Sequence, residues 1–369
     1  MRIALLAHVR YPVAQPFMGG MEAHVFHLAR ALQARGHDVT LFAAGDSDAG
    51  VPLWPVLERH YEPDFPWHDY HRTDELNEYV DAAFARVARR LAVGDFDLVH
   101  NNTLHRYPPR LARVRRIPMV TSLHVPAFDW LRRAVHEGAA PWSRFTATSR
   151  THARSYWAGE LPEEAHVVHN GIDLARWPYR ERGDDSVLWA GRIAPNKGTH
   201  LAVRAAALAG LRMDLYGPTE LPDYFDAEIR PYLSERIRYR GHASAEELAA
   251  AMGRAGAFAF TPMWDEPFGL VAAEAMASGL PVAAFDNGAA REVVGEAAGR
   301  VVPSGDVGAL AAAMRETLTI PRTLPRKRVE ERFTIGRMVD GYEEVYARAV
   351  AGLGEDVAEV SFPEVELRY

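Results

Sequence analysis

Hydrophobic positions fall into short continuous runs separated by longer stretches with helical spacing, and the two alternate along most of the chain. Ile3–Ala7 reads as a buried strand, followed by a loop holding Gly19 and Gly20 and a helix-like stretch from Met21 to Arg35 that Gly36 closes. Val39–Ala43 is the next strand. From about Ser47 to Thr73 the pattern breaks, because Pro52, Pro55, Pro63 and Pro66 are scattered among aromatic residues, and an irregular segment is predicted. Helical spacing returns at Leu76–Leu91, and strands are expected at Leu98–His100 and Met119–His124.

A second series follows His169-Asn170-Gly171. Its strands are expected at Val187–Ala190, Met213–Tyr216, Ile237–Arg240, Phe258–Thr261, Val282–Phe285 and Arg300–Val302. Helices are expected between them at His200–Ala209, Ala245–Arg254, Gly269–Ala277 and Val307–Leu318. Strand–helix alternation of this kind predicts an α/β fold with parallel sheets covered by helices on both faces. The division expected is residues 1–170, residues 171–335, a last helix over 336–352 with Met338, Val339, Tyr342, Val345 and Tyr346 on one stripe, and an acidic, solvated tail over 353–369.

The chain has 369 residues, enough for two cores at about 150 residues per domain. Its net charge of −7 argues against nucleic acid as a partner, since a phosphate backbone calls for a basic excess. Zero cysteines exclude disulfides, thiolate metal sites and a cysteine nucleophile. The opening apolar run is too short for a signal-peptide core, and no long uncharged stretch would span a membrane, so a cytoplasmic location is expected.

The segment Glu266-Pro-Phe-Gly-Leu-Val-Ala-Ala-Glu274 carries the clearest chemical signal. Glu274 is a lone charge in an otherwise apolar helix and needs compensating donors, such as the paired hydroxyls of a ribose; a buried ion pair would also meet the need. Glu266 precedes that helix at a strand end, where open α/β sheets place ligands, and the first-turn amides of Phe268, Gly269 and Leu270 favour an anion. Arg192 and Lys197 lie in the turn after Val187–Ala190 and suit a diphosphate, although a solvated loop has the same composition. Gly19 and Gly20 would let backbone amides approach a phosphate, or form an ordinary turn. The loop lacks GxGxxG and no P-loop ends in Gly-Lys-Ser/Thr, which disfavours a nicotinamide cofactor. His124 and His8 end strands at the expected ligand edge, while His68, His71, His166 and His169 show no metal-ligand spacing, so no metal is expected.

This ordered set, together with His-Asn-Gly-Ile-Asp at 169–173 and Phe-Gly-Leu-Val-Ala-Ala-Glu-Ala-Met-Ala-Ser-Gly-Leu-Pro-Val at 268–282, resembles the retaining glycosyltransferases of family 4 over about residues 1–350. The resemblance implies a GT-B fold, with two Rossmann-like βαβ domains whose parallel sheets face a central cleft. It implies that Glu274 holds ribose hydroxyls, Arg192 and Lys197 the diphosphate with the Gly20 amides, and Glu266 and His124 the donor-sugar hydroxyls. The backbone at Gly241-His242 would meet the base. His124, Glu266, Arg192 and Lys197 would serve the catalytic step, with a nucleoside-diphosphate sugar (UDP favoured) as co-substrate and no further cofactor. The acceptor hydroxyl, on a sugar, glycolipid or small aglycone, would belong to the N-terminal domain.

Trp54, Tyr61, Phe65, Trp67 and Tyr70 could stack on an acceptor or pin a long loop. Arg106, Arg110, Arg113, Arg115 and Arg116 could touch an anionic membrane surface, though a solvated helix face is the favoured reading. Retention without an evident carboxylate nucleophile points to a front-face reaction. The competing readings are an epimerase or phosphorylase on the same fold and a non-catalytic nucleotide-sugar binder.

Overall fold

Strands buried on both faces read as continuous apolar runs, and Ile3, Ala4, Leu5 and Leu6 are fully shielded from solvent. In the computed structural model, which describes residues 1–355, they form β1 (Arg2–Ala7) at the middle of a parallel sheet. The other strands of this sheet are β2 (Asp38–Ala44), β3 (Leu53–Leu57), β4 (Leu98–Asn102), β5 (Met119–Leu123), β6 (Ser143–Ala147) and β7 (Ala165–Val167). Their order is β3-β2-β1-β4-β5-β6-β7, with Ile3 in register with Val39 on one side and Leu98 on the other. The order reverses at β1, the topology of a doubly wound sheet.

This sheet belongs to a unit comprising Met1–Thr148, Ala153–Val168 and, of the last described stretch, residues 338–355. The last helix, Ile335–Ala351, buries Met338, Val339, Tyr342, Val345 and Tyr346, the stripe expected from its spacing. Its hydroxyls enter a buried polar layer. His100 is bonded to Tyr346 Oη at 2.6 Å and to Ser122 Oγ at 2.8 Å, and Ser122 Oγ also reaches Tyr342 Oη at 3.1 Å. Of the expected tail, Gly352–Gly354 form one turn and Arg116 donates to the carbonyls of Leu353 and Glu355; residues 356–369 lie outside the described residues.

The irregular segment expected from Ser47 to Thr73 is corrected: it contains β3 and a short helix, Trp67–Tyr70. Pro55 hid the strand. A residue without an amide hydrogen is tolerated there because β3 is an edge strand, and its register with β2 shifts at Ala43/Ala44. The sequence pattern also missed β6 and β7. All five residues of β6 are buried although Ser143, Arg144 and Thr146 are polar, so no apolar run marked it.

The second unit comprises Ser149–His152 and His169–Arg337. Its six parallel strands are β8 (Ser186–Ala190), β9 (Arg212–Tyr216), β10 (Ile237–Tyr239), β11 (Ala257–Phe260), β12 (Val282–Phe285) and β13 (Gly299–Val302), ordered β10-β9-β8-β11-β12-β13. Alternate residues serve opposite faces: Val187 and Trp189 join one core with helices Thr199–Ala209 and Val307–Thr317, and Leu188 and Ala190 join the other with helix Leu270–Ala277. Among the described residues no helix is long and apolar enough to cross a membrane.

Candidate functional site

At the carboxyl edge of the second sheet, β8 ends at Ala190 and the chain turns through Pro195–Lys197 into helix Thr199–Ala209. Thr261, just past β11, fixes this turn by donating to the Lys197 carbonyl at 2.9 Å while accepting from Trp189 Nε1 at 3.0 Å. The Met263 amide donates to the Asn196 carbonyl at 2.8 Å. These bonds bring Lys197 to the segment after β11, where its Nζ meets Glu266 Oε2 at 2.8 Å. Trp264 Nε1 donates to the same oxygen at 2.9 Å, and Lys197 lies 5.0 Å from the centre of the Trp264 ring. Lys197 and Glu266 expose only 24% and 14% of their side chains, so the carboxylate is held by two fixed donors in a largely dry setting.

The chain then passes buried Phe268 and enters the eight-residue helix Leu270–Ala277 through Gly269. Gly269 has φ +88°, and a Cβ there would sit 2.6 Å from the Phe260 ring, so the approach requires glycine. No side chain caps the helix, which leaves its first amides available to a ligand. Glu274 is half-buried among buried Ala272, Ala273, Ala275 and Met276. Burial pushes its carboxyl up to about 7, against the opposing pull of the Arg176 charge.

Arg192 leans on Glu220, with both carboxylate oxygens 2.8 Å from Nη1, and stays half exposed. The sequence thus placed Arg192 and Lys197 in one turn, while the structure gives each a different carboxylate. Gly241 and His242 follow β10; the Gly241 carbonyl accepts the Gly217 amide at 2.9 Å. His242 borders a recess of about 310 Å³ together with Tyr216, Arg240, Glu247 and Arg254.

The remaining expected residues belong to the N-terminal unit. Gly19 is the extended residue before helix Gly20–Ala34, and Gly20 is its first residue; both are exposed. His124 follows β5, with Nε2 at 2.8 Å from Asn102 Oδ1 and its ring edge-on to His24 at 4.7 Å. Of the aromatic segment, Trp54 stacks on Phe42, Tyr61 is buried, and Phe65 and Tyr70 pack on the same core, whereas Trp67 remains 42% exposed. The arginine cluster is largely committed: Arg106 pairs with Asp81, Arg110 with Glu137 at 2.7 Å, and Arg113 and Arg116 cover Trp142.

Sequence reasoning missed Trp264, Glu220, Asn102, His24 and Ser149, whose Oγ donates to the Pro267 carbonyl at 2.7 Å. Trp264 stood two residues from Glu266 and could have been noticed. The others are distant in sequence and carry no local signal.

Two family models match in tandem: "Glycosyltransferase Family 4" over residues 18–176 and "Glycosyl transferases group 1" over residues 173–332. The chain is 30% identical to a glycogen synthase of Mycobacterium tuberculosis, over 89% of this chain and 88% of that protein. It is 31% identical to a phosphatidyl-myo-inositol mannosyltransferase of Mycobacterium leprae, over 85% and 86% respectively. In fold it is similar to Anabaena HepE, solved with UDP and glucose, with a TM-score of 0.71 at 21% identity over 94% of this chain and 99% of HepE.

Proposed function

The chain belongs to glycosyltransferase family 4 and has the GT-B fold, and we propose that it moves a hexosyl group from UDP-sugar to an acceptor hydroxyl with retention of anomeric configuration. The observation that carries this reading is the meeting of Lys197 and Glu266 at 2.8 Å beside the uncapped helix that bears Glu274. A diphosphate would take the Lys197 and Arg192 cations and the first amides of Leu270–Ala277, a ribose the Glu274 carboxylate, and the donor sugar Glu266. The base would lie by Gly241 and His242, next to the 310 Å³ recess. HepE, solved with UDP, supports uridine as the base.

In the reaction the acceptor oxygen forms the new bond to the anomeric carbon as the bond to the diphosphate oxygen breaks. The acceptor's proton passes to that departing oxygen, on the same face, and Lys197 and Arg192 stabilise its growing negative charge. No residue need become glycosylated. The test is a melting panel with UDP, GDP and ADP and their hexose conjugates. UDP and a UDP-hexose should raise the melting temperature most, since a ligand of the native state alone stabilises it. A shift confined to GDP or ADP would replace the base, and a covalent glycosyl-enzyme trapped during turnover would refute the front-face route.

A further inference from the structure

Trp264 stands half-buried in the segment after β11 and joins neither hydrophobic core of its unit. Outside a core, the directed contact of a tryptophan is its indole N–H. That N–H donates to Glu266 Oε2 at 2.9 Å, and Lys197 Nζ meets the same oxygen at 2.8 Å. Among the described residues no group donates to Oε1. The carboxylate is thus held by one oxygen and open at the other, the arrangement needed to accept hydroxyls from a bound sugar.

The backbone beneath this carboxylate is fixed separately. The Glu266 amide closes a tight turn on the Trp264 carbonyl at 2.8 Å, and the Ala289 amide donates to the Glu266 carbonyl at 2.9 Å. Gly288, at φ +55°, passes so close to the Glu266 backbone that a Cβ there would collide with it. What remains free is the set of side-chain torsions of Glu266, and the two donors on Oε2 set these. The donors differ in kind. Lys197 is a point charge on a flexible stem, 5.0 Å from the centre of the Trp264 ring. In the transferase reading the same ammonium is drawn to the diphosphate, and its hold on Glu266 then loosens. The indole is neutral, with a single N–H on a rigid ring, so it stays with Glu266.

We propose that Trp264 is a positioning residue for the donor sugar: it keeps Glu266 Oε1 aimed at the sugar hydroxyls once Lys197 has turned to the diphosphate. The proposal rests on the transferase reading above and adds a residue that serves recognition of the sugar and not of the nucleotide. Its role is exercised through Glu266.

Calorimetry on the full chain tests this with UDP-glucose, GDP-mannose and ADP-glucose, each measured beside its own nucleoside diphosphate. Trp264→Phe keeps an aromatic face for Lys197 and removes the N–H. The conjugate that the parent binds most tightly should bind this variant about tenfold more weakly, the scale of one hydrogen bond to a charged group. Affinity for the matching nucleoside diphosphate should stay within about twofold. A residue that merely shapes the site would weaken both ligands alike, and that result overturns the proposal, as does a folded variant with no loss for either. In a Glu266→Ala background, Trp264→Phe should cost the conjugate less than about twofold, because the residue it acts through is gone; an undiminished loss there also overturns the proposal. Melting curves establish that each variant is folded, and if Trp264→Phe is not, Trp264→Leu carries the same comparison. A parent that binds none of UDP, GDP and ADP refutes the transferase reading and this one with it. A parent that binds one of them, with a variant that shows no selective loss of the conjugate, refutes this one alone.

Discussion

Replacing Lys197 by alanine removes the cation of the pair with Glu266, and the structure sets the size of the effect. At 2.8 Å and an effective dielectric near 20, the two charges attract by about 6 kcal/mol before desolvation. Both side chains are mostly buried, so desolvation takes back most of this and leaves a net contribution of about 1–2 kcal/mol to folding. For units of this size, that lowers the melting temperature by roughly 2–8 °C. The functional loss should be larger. A fixed cation aimed at charge that develops on a leaving group is worth about 3–4 kcal/mol in the transition state, or roughly 10²–10³-fold in turnover. The assay is steady-state release of nucleoside diphosphate from the donor selected by the melting panel, with the melting temperature followed in parallel. A folded Lys197→Ala within about fivefold of the parent would refute the reasoning.

Three further outcomes follow from titratable groups shielded from water. Glu274 has its native carboxyl pushed up to about 7, so between about pH 4.5 and 7 the native state holds a proton that the unfolded chain has lost; stability therefore falls as pH rises through that window and levels off above it. Urea unfolding at pH 5 and 8 should show this decline, and Glu274→Gln should flatten it; a parent and variant with equal pH slopes would remove Glu274 as its source. Because ribose hydroxyls favour the ionised carboxylate, nucleoside-diphosphate affinity should also tighten as pH passes 7, measurable by calorimetry. In the N-terminal unit, Tyr346→Phe takes away the hydroxyl 2.6 Å from His100 and leaves a buried ring nitrogen unpaired, at a cost of about 1–3 kcal/mol. Scanning calorimetry should register a drop of several degrees, and an unchanged melting temperature would show that the pair contributes nothing.

The alternation of elements was legible in the sequence because parallel strands covered on both faces need unbroken apolar runs, as at Ile3–Leu6 and Val282–Phe285. The segment from Glu266 to Glu274 was legible for the complementary reason that a charge inside an apolar helix stands out. Where these local rules lapse, the sequence misleads. Pro55 disguises a strand that survives only at a sheet edge, and Ser143, Arg144 and Thr146 disguise one that is wholly buried, where Arg144 donates to the Pro141 carbonyl and Thr146 meets Ser122. Pairings across the chain are a different matter. The sequence marks Lys197 and Glu266 as candidates, but their contact spans 69 residues. The stripe on the last helix says that Tyr346 must be buried, yet not that its hydroxyl meets His100, 246 residues away. Burial is a property of spacing along one element, and the chain carries it from the start; hydrogen bonds and ion pairs need two particular atoms within about 3 Å, and only the folded sheets bring those atoms together.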